Sequence, residues 1–494
     1  MTAQAVFQYR LQPLFLAAIV GLLATGCKTY EQKNRVIQYW QQGRLTNAVA
    51  EAAKMADQNA NNKDAVIWRL EQGAVLRGAG LYEESNQAFD KAQEKMDDYE
   101  QKAKVRFGQE TGALFSNQAN LDYEGRDYDG VMLNTYRALN YLQLGEPDKA
   151  RPELIRAYQR QQSAVEANQK RIAKVQEEAA RNKDKAKIDM AEQDPKFKSE
   201  MRTSYANLDN LKAYADYVNP FTVYLDGLFF MAQATDNSDL ERARKSLERV
   251  VGFDPDNPYV KQDLATVNDL INGKPLTPTT YVIFETGRAP VRDQIRIDIP
   301  IFFTKVSYVG AAFPTLKFQG DYVASLTVTA DNALAAAGDT NTAAGSVATN
   351  TADGLPATTS LVASMDSVIG RDFKNELPTV ITKTIVAAVV KAVASYTANQ
   401  AVSGQPDWLR AIVQLSTIGY QVAVNIADER TWTTLPKEFQ VCHFLTPPNR
   451  KIELETPGGG QKIPVTIGDG TINIVYVKSI TAASPLLVSQ MRLK

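Results

Sequence analysis

Gly145-Glu146-Pro147-Asp148-Lys149-Ala150-Arg151-Pro152-Glu153-Leu154-Ile155-Arg156-Ala157 places a glycine, a small residue five positions on and an alanine twelve positions on. The same offsets recur at Gly43, Ala48 and Met55, and again at Gly80, Ser85 and Ala92. Each position has a physical reason. Glycine relieves the turn between two helices, the small residue at five lets them cross closely, and the residue at twelve leaves room for the next unit. Phe89 and Leu154 supply the larger apolar groups that fill the groove between those positions. A fourth unit is expected over Tyr224 to Leu264, where Ala243, Leu247, Val250 and Pro255 keep the second-helix spacing and Thr235 to Asp239 is an insertion.

This pattern resembles the tetratricopeptide repeat, a helix-turn-helix unit of about 34 residues. The family's tryptophan and tyrosine positions are poorly matched, so the repeats are divergent. The resemblance implies an α-solenoid over residues 27–274 with a concave surface suited to an extended peptide or another protein. Residues 159–219, rich in Lys, Glu, Gln and Ala, read as a long solvated helical insertion with Pro195 near its bend. Acidic residues such as Glu166, Glu177, Glu178 and Asp184 are interleaved with its basic ones, which argues against a nucleic-acid patch.

Beyond Leu276 the texture changes, and residues 275–494 read as an α+β domain. Tyr281 to Glu285 and Ile295 to Pro300 look like strands flanking a turn at Gly287 to Pro290. Further strands are expected at Val306 to Val309, Lys317 to Phe318, Ala324 to Thr329, Phe439 to Leu445, Lys451 to Glu455, Lys462 to Ile467, Ile472 to Val477 and Leu486 to Met491. Residues 333–360 form a low-complexity loop, followed by helices over Asp372 to Val402 and Asp407 to Asp428. The expected fold class is therefore α plus α+β, a helical-repeat solenoid followed by an α+β domain.

At the other end, Arg10 precedes the apolar run Leu14 to Leu23, the layout of a secretory signal over residues 1–26. Leu23-Ala24-Thr25-Gly26-Cys27 resembles the lipobox of bacterial lipoproteins, with leucine one residue further from the cysteine than usual. That resemblance implies lipidation at Cys27, and Lys28 in place of an aspartate implies sorting to the outer membrane. Buried acyl chains contribute about 0.8 kcal/mol per methylene, so the anchor would be permanent. No later stretch reads as long and apolar enough to span a bilayer. With Cys27 consumed by lipid, Cys442 is left without a disulfide partner. The 494 residues carry 55 basic and 56 acidic side chains, and a net charge of -1 offers no field that would draw the chain onto nucleic acid.

Catalytic signals are sparse. The single histidine, His443, adjoins Cys442 in an expected strand, where neighbours point to opposite faces, so His443 reads as structural. A zinc site of familiar spacing is missing from the sequence, and no metal or cofactor is expected. Paired carboxylates could serve a glycan-cleaving enzyme, with Glu285, Asp293, Asp298, Asp372, Glu376, Asp428 and Glu429 as candidates, but nothing selects two of them. Gly458-Gly459-Gly460 reads as a β-turn. Phe284 to Pro290, Ile295 to Pro300, Tyr308 to Gly310 and Asp428 to Pro436, with the lipobox and the repeats, resemble a family of repeat-bearing proteobacterial envelope lipoproteins of unassigned function. The resemblance implies an envelope location and a binding role, with occasional association with factors that regulate peptidoglycan synthesis; it transfers no catalytic residue. Arg288 and Arg430 are candidates for binding a carboxylate-bearing partner, or for pinning turns through Glu285 or Asp428. The leading expectation is a non-enzymatic outer-membrane scaffold contacting envelope proteins through its helices; a carboxylate-dependent glycan enzyme and a surface-exposed structural lipoprotein are the alternatives.

Overall fold

The structure is a computed structural model, and it describes residues 28–105, 121–212, 214–302, 306–330, 355–401 and 427–494. The expectations for the signal, Cys27, most of the 333–360 loop and nearly all of the helix at 407–428 fall outside these residues. Helices α1 (Lys28–Gln41) and α2 (Leu45–Gln58) pack as a pair, as do α3 (Ala65–Gly78) and α4 (Tyr82–Val105), and α5 (Asp127–Gln143) and α6 (Pro147–Ala180). Gly43, Gly80 and Gly145 occupy the three turns with φ of +66°, +78° and +72°, a left-handed conformation that costs glycine little. Ala48, Ser85 and Ala150 are fully buried at the crossings, and the Ser85 hydroxyl donates to the Gly73 carbonyl at 2.7 Å to close one pair.

Helices α9 (Pro220–Ala232) and α10 (Asn237–Phe253) form a further pair, followed by α11 (Pro258–Ile271). Asn219 and Asn257 cap α9 and α11 by accepting from backbone N–H groups, each followed by proline at the first helical position. The insertion expected at Thr235 to Asp239 is the N-terminal turn of α10, where Asp236 caps Ser238 and Asp239.

Residues 159–219 are helical and largely exposed as expected, but one face of them is not left to solvent. α6 runs on to Ala180, and the chain then turns back through α7 (Lys185–Gln193) and α8 (Pro195–Tyr205), with Asp194 capping Phe197. Ile188, Ala191, Phe197 and Met201 repeat at helical spacing, and they pack on the hairpin β2 (Val291–Phe302) and β3 (Val306–Lys317) and on helix α12 (Met365–Ala401). Ile385 and Val389 of α12 are buried in this cluster, with Ile381 and Val393 at its margin. Helix α12 begins earlier than expected and continues through Pro378. By length and composition Met365–Thr397 could cross a membrane, which corrects the expectation that no later stretch could; 33% of its apolar window is buried inside the protein.

The remaining strands are β1 (Thr279–Thr286), β4 (Thr327–Ala330), β5 (Ala357–Thr358), β6 (Ser360–Ser364), β7 (Glu438–Leu445), β8 (Lys451–Glu455), β9 (Lys462–Thr466), β10 (Ile472–Ser479) and β11 (Leu487–Arg492). Strands β5 and β6 take up residues expected to close the low-complexity loop. One sheet has the order β11-β10-β1-β7-β6, with β1 parallel to β10 and antiparallel to β7; a second has the order β5-β4-β8-β9. The turn at Gly287 to Pro290 joins strands of different sheets. β1 is buried on both faces because alternate residues serve two cores: Tyr281 and Ile283 face the helices, while Val282 and Phe284 face the second sheet. A single apolar core runs from Val36 through the helix pairs to Leu493, so helices and first sheet are fused across residue 275.

Candidate functional site

Strand alternation fixes what the helices meet. Tyr281, Ile283 and Glu285 share one face of β1, and the parallel register sets Ile283 beside Tyr476 and Glu285 beside Lys478. The Glu285 carboxylate is 1% exposed and accepts from Lys478 Nζ, from the Tyr476 hydroxyl and from the Tyr136 hydroxyl, the last at 2.9 Å. Arg77, in the last turn of α3, lies over the rings of Tyr136 and Tyr476 at 5.3 and 4.9 Å and donates to Asn140 Oδ1 at 2.7 Å. Lys478 Nζ sits 4.9 Å over the ring of Trp40.

Burial works against the Glu285 charge, yet the Lys478 and Arg77 cations outweigh it and hold the carboxyl below its usual range. The same burial pulls the Lys478 ammonium down while Glu285 pushes it up. Burial, with Glu285 beside them, drives the Tyr136 and Tyr476 phenols well up, so both stay hydrogen-bond donors. Arg77, Glu285, Tyr476 and Lys478 floor an open cleft of about 370 Å³ walled by Leu45, Gly78 to Gly80, Tyr82 and Leu486 to Ser489.

Asp428 to Pro436 enters the helical array itself. Arg430 pairs with Asp428 at 2.8 Å and Asp64 at 3.1 Å, and donates to the carbonyls of Lys63 and Leu121 at 3.3 and 2.8 Å. Glu71, 1% exposed, accepts from the Thr433 amide at 2.7 Å and from the hydroxyls of Thr433 and Thr434. Trp432 stands fully buried, edge-on to Phe89 and Tyr136 with centroids 5.8 and 5.9 Å away. The helices expected to hold a partner peptide therefore hold this chain's own segment at Glu71, Phe89 and Tyr136. Arg288 is half-buried and donates to Gln319 Oε1 at 3.3 Å, not to Glu285.

Three of the candidate carboxylates converge elsewhere. Arg126 binds both Glu376 oxygens at 3.0 and 3.1 Å and reaches Asp428 at 3.5 Å, while Arg292 also pairs with Glu376. Asp372, one turn before Glu376 on α12, is driven well above its usual range by burial, then by Asp127 and Glu376. A raised and a lowered carboxyl side by side is the signature of acid/base work. Here, however, Asp372 opens on a cavity of about 10 Å³ shared with Tyr128, Val131, Tyr217, Asn219 and Val368, room for about one water and no sugar ring. Asp293 and Asp298 are exposed on β2, and Glu429 lies half-buried beside Asp428.

This cluster carries a pH prediction with two opposed parts. Burial lifts Asp129 to about 6, whereas Arg126 and Arg292 overcome burial and hold Glu376 at about 2. A lowered carboxyl contributes stability that is present above its unfolded value near 4.5 and lost as pH falls towards 2; a raised one contributes stability present below about 3.8 and lost as pH rises through 6. Melting temperature measured against pH is expected to flatten between pH 4.5 and 2 in Glu376→Gln, and between pH 4 and 6 in Asp129→Asn. Curves parallel to wild type would mean that neither shift exists.

Cys442 and His443 do point to opposite faces. Cys442 lies in the core between the sheets, where burial pushes its thiol up, and His443 Nε2 lies 3.2 Å from Asp263 and 3.1 Å from the Tyr259 carbonyl. Asp263 also accepts from Tyr224 and Tyr281 at 2.9 and 2.8 Å. Sequence reasoning missed Arg77, Lys478, Tyr476, Glu71 and Asp263. One signal was available: Ile472, Ile474, Tyr476 and Lys478 share a strand face, so a lysine continues an apolar row and needs a buried counter-charge.

The chain matches no family model and no curated protein.

Proposed function

We propose that this chain is a bacterial envelope lipoprotein, anchored through Cys27 to the periplasmic face of the outer membrane, which works as a non-enzymatic scaffold for envelope proteins. The observation that carries the reading is the series of helical hairpins turned on left-handed glycines with buried residues at the five and twelve offsets. It supports a divergent tetratricopeptide-like solenoid, an architecture that serves chiefly to hold protein partners. Because Asp428 to Pro436 packs among the helices, the partner's place is the exposed face of the second helices, such as α4 with exposed Glu83, Gln87, Lys91 and Glu94. In one version the partner belongs to peptidoglycan synthesis or outer-membrane assembly.

Intact mass of the membrane-extracted protein tests the anchor. Loss of residues 1–26 with added acyl mass is expected for the wild type and neither change for Cys27→Ala; an unlipidated wild type would remove the envelope address. Photocrosslinkers at Gln87 and Glu94 test the scaffold, and repeated recovery of one envelope protein is expected. Recovery of none would overturn it.

A further inference from the structure

The floor of the Glu285 cleft has more donors than acceptors. Lysine brings three N–H groups and arginine five, whereas a carboxylate brings two oxygens. Glu285 already receives Lys478, Tyr476 and Tyr136, so its acceptor capacity is nearly filled. Lys478 gives one hydrogen bond to Glu285, and Arg77 gives one to Asn140 and lies over the Tyr476 ring. Both cations line the cleft, and two positive charges against one negative leave one positive charge over.

The walls narrow the class of occupant. Leu45, Leu486, Leu487 and Val488 are apolar, and Gly78 to Gly80 leave the mouth without bulk. A volume of about 370 Å³ falls at the lower end of small-molecule sites, which span roughly 300–1,000 Å³. A phosphate would bring up to two charges to a floor with one to spare. A carboxylate brings one, in the planar form that a guanidinium receives best.

We propose that this cleft binds a single carboxylate group, received by the Lys478 ammonium and the Arg77 guanidinium, on a ligand whose apolar body lies against Leu45, Leu487 and Val488. The ligand is either a small free acid or the C-terminus of a peptide. The proposal does not depend on the lipid anchor or on any protein partner.

Calorimetric titration of the full chain tests it, with N-acetyl-leucine, an acetylated tripeptide ending in leucine, N-acetyl-leucinamide and inorganic phosphate as probes. At least one carboxylate is expected to bind saturably and the amide at least about tenfold more weakly, the difference expected of a charge-assisted pair. A tripeptide that binds better than the amino acid assigns the source to a peptide end, and the reverse assigns it to a free acid. Ser489→Phe at the lip is expected to abolish binding, as is Lys478→Met, which removes the ammonium and leaves Arg77 and Glu285 as a balanced pair with no positive charge over; thermal unfolding shows that each is folded. Equal binding of the amide, stronger binding of phosphate, no saturation by either carboxylate, or wild-type affinity in both folded variants would overturn the proposal.

Discussion

Trp432→Ala is expected to cost about 3–5 kcal/mol, the range for truncating a large buried aromatic. The indole is fully buried, meets Phe89 and Tyr136 edge-on, and donates from Nε1 to Thr434 Oγ1 at 3.0 Å. Each aromatic pair adds about 0.5–1.5 kcal/mol beyond area burial, so the upper half of the range is favoured. Against a typical total of about 5–15 kcal/mol, such a loss leaves a substantial unfolded population on warming. Urea unfolding followed by circular dichroism reads the effect, with Tyr308→Ala, 52% exposed, as a control expected to fall within about 0.5 kcal/mol of wild type. A Trp432→Ala cost as small as the control's would mean that this segment is not seated among the helices.

Glu285→Gln is the second large effect, and its diagnostic value lies in the pairing. Removing the carboxylate leaves two buried cations, Lys478 and Arg77, without a counter-charge, and a stranded buried charge typically costs about 3–5 kcal/mol. Removing the lysine as well, as Glu285→Gln/Lys478→Met, takes away one of the two stranded cations and is expected to recover part of that loss. A single variant no worse than the double one would mean that water entering through the cleft hydrates the cations and that the pair contributes little.

How much of this was legible beforehand depended on range. The helix pairs could be read because Gly80 and Ser85 carry their reason locally, one in the turn and one in the crossing that follows. β8 was read to its observed limits because its alternation is local too. β1 and β2 were read as strands flanking a turn, but the partners of β1 could not be read, since it is buried on both faces and pairs with β7 and β10, strands more than a hundred residues downstream that no short window contains. The site followed the same rule. Glu285 was visible as a candidate among seven carboxylates, but what distinguishes it is Lys478, 193 positions away, and Tyr136, 149 positions away on a helix. Arg430 could be read with Asp428 because the two lie two residues apart; its hold on Asp64 spans 366 residues.

Those long spans set the order in which the molecule can be finished. Glu71 finds Thr433 across 362 residues, and Gln41 meets Thr481 across 440. Until the last strands exist, the first helix pairs have no Trp432, no Tyr476 and no Leu493 to close over, and the apolar surface meant for them stays open to water. Contacts of such separation are slow to form and leave intermediates exposed. The helix pairs are therefore expected to finish packing only once the strands that follow them are in place. Removing β10 and β11 is expected to expose the apolar residues of the helices that pack on them and to lower the melting temperature of the helical half.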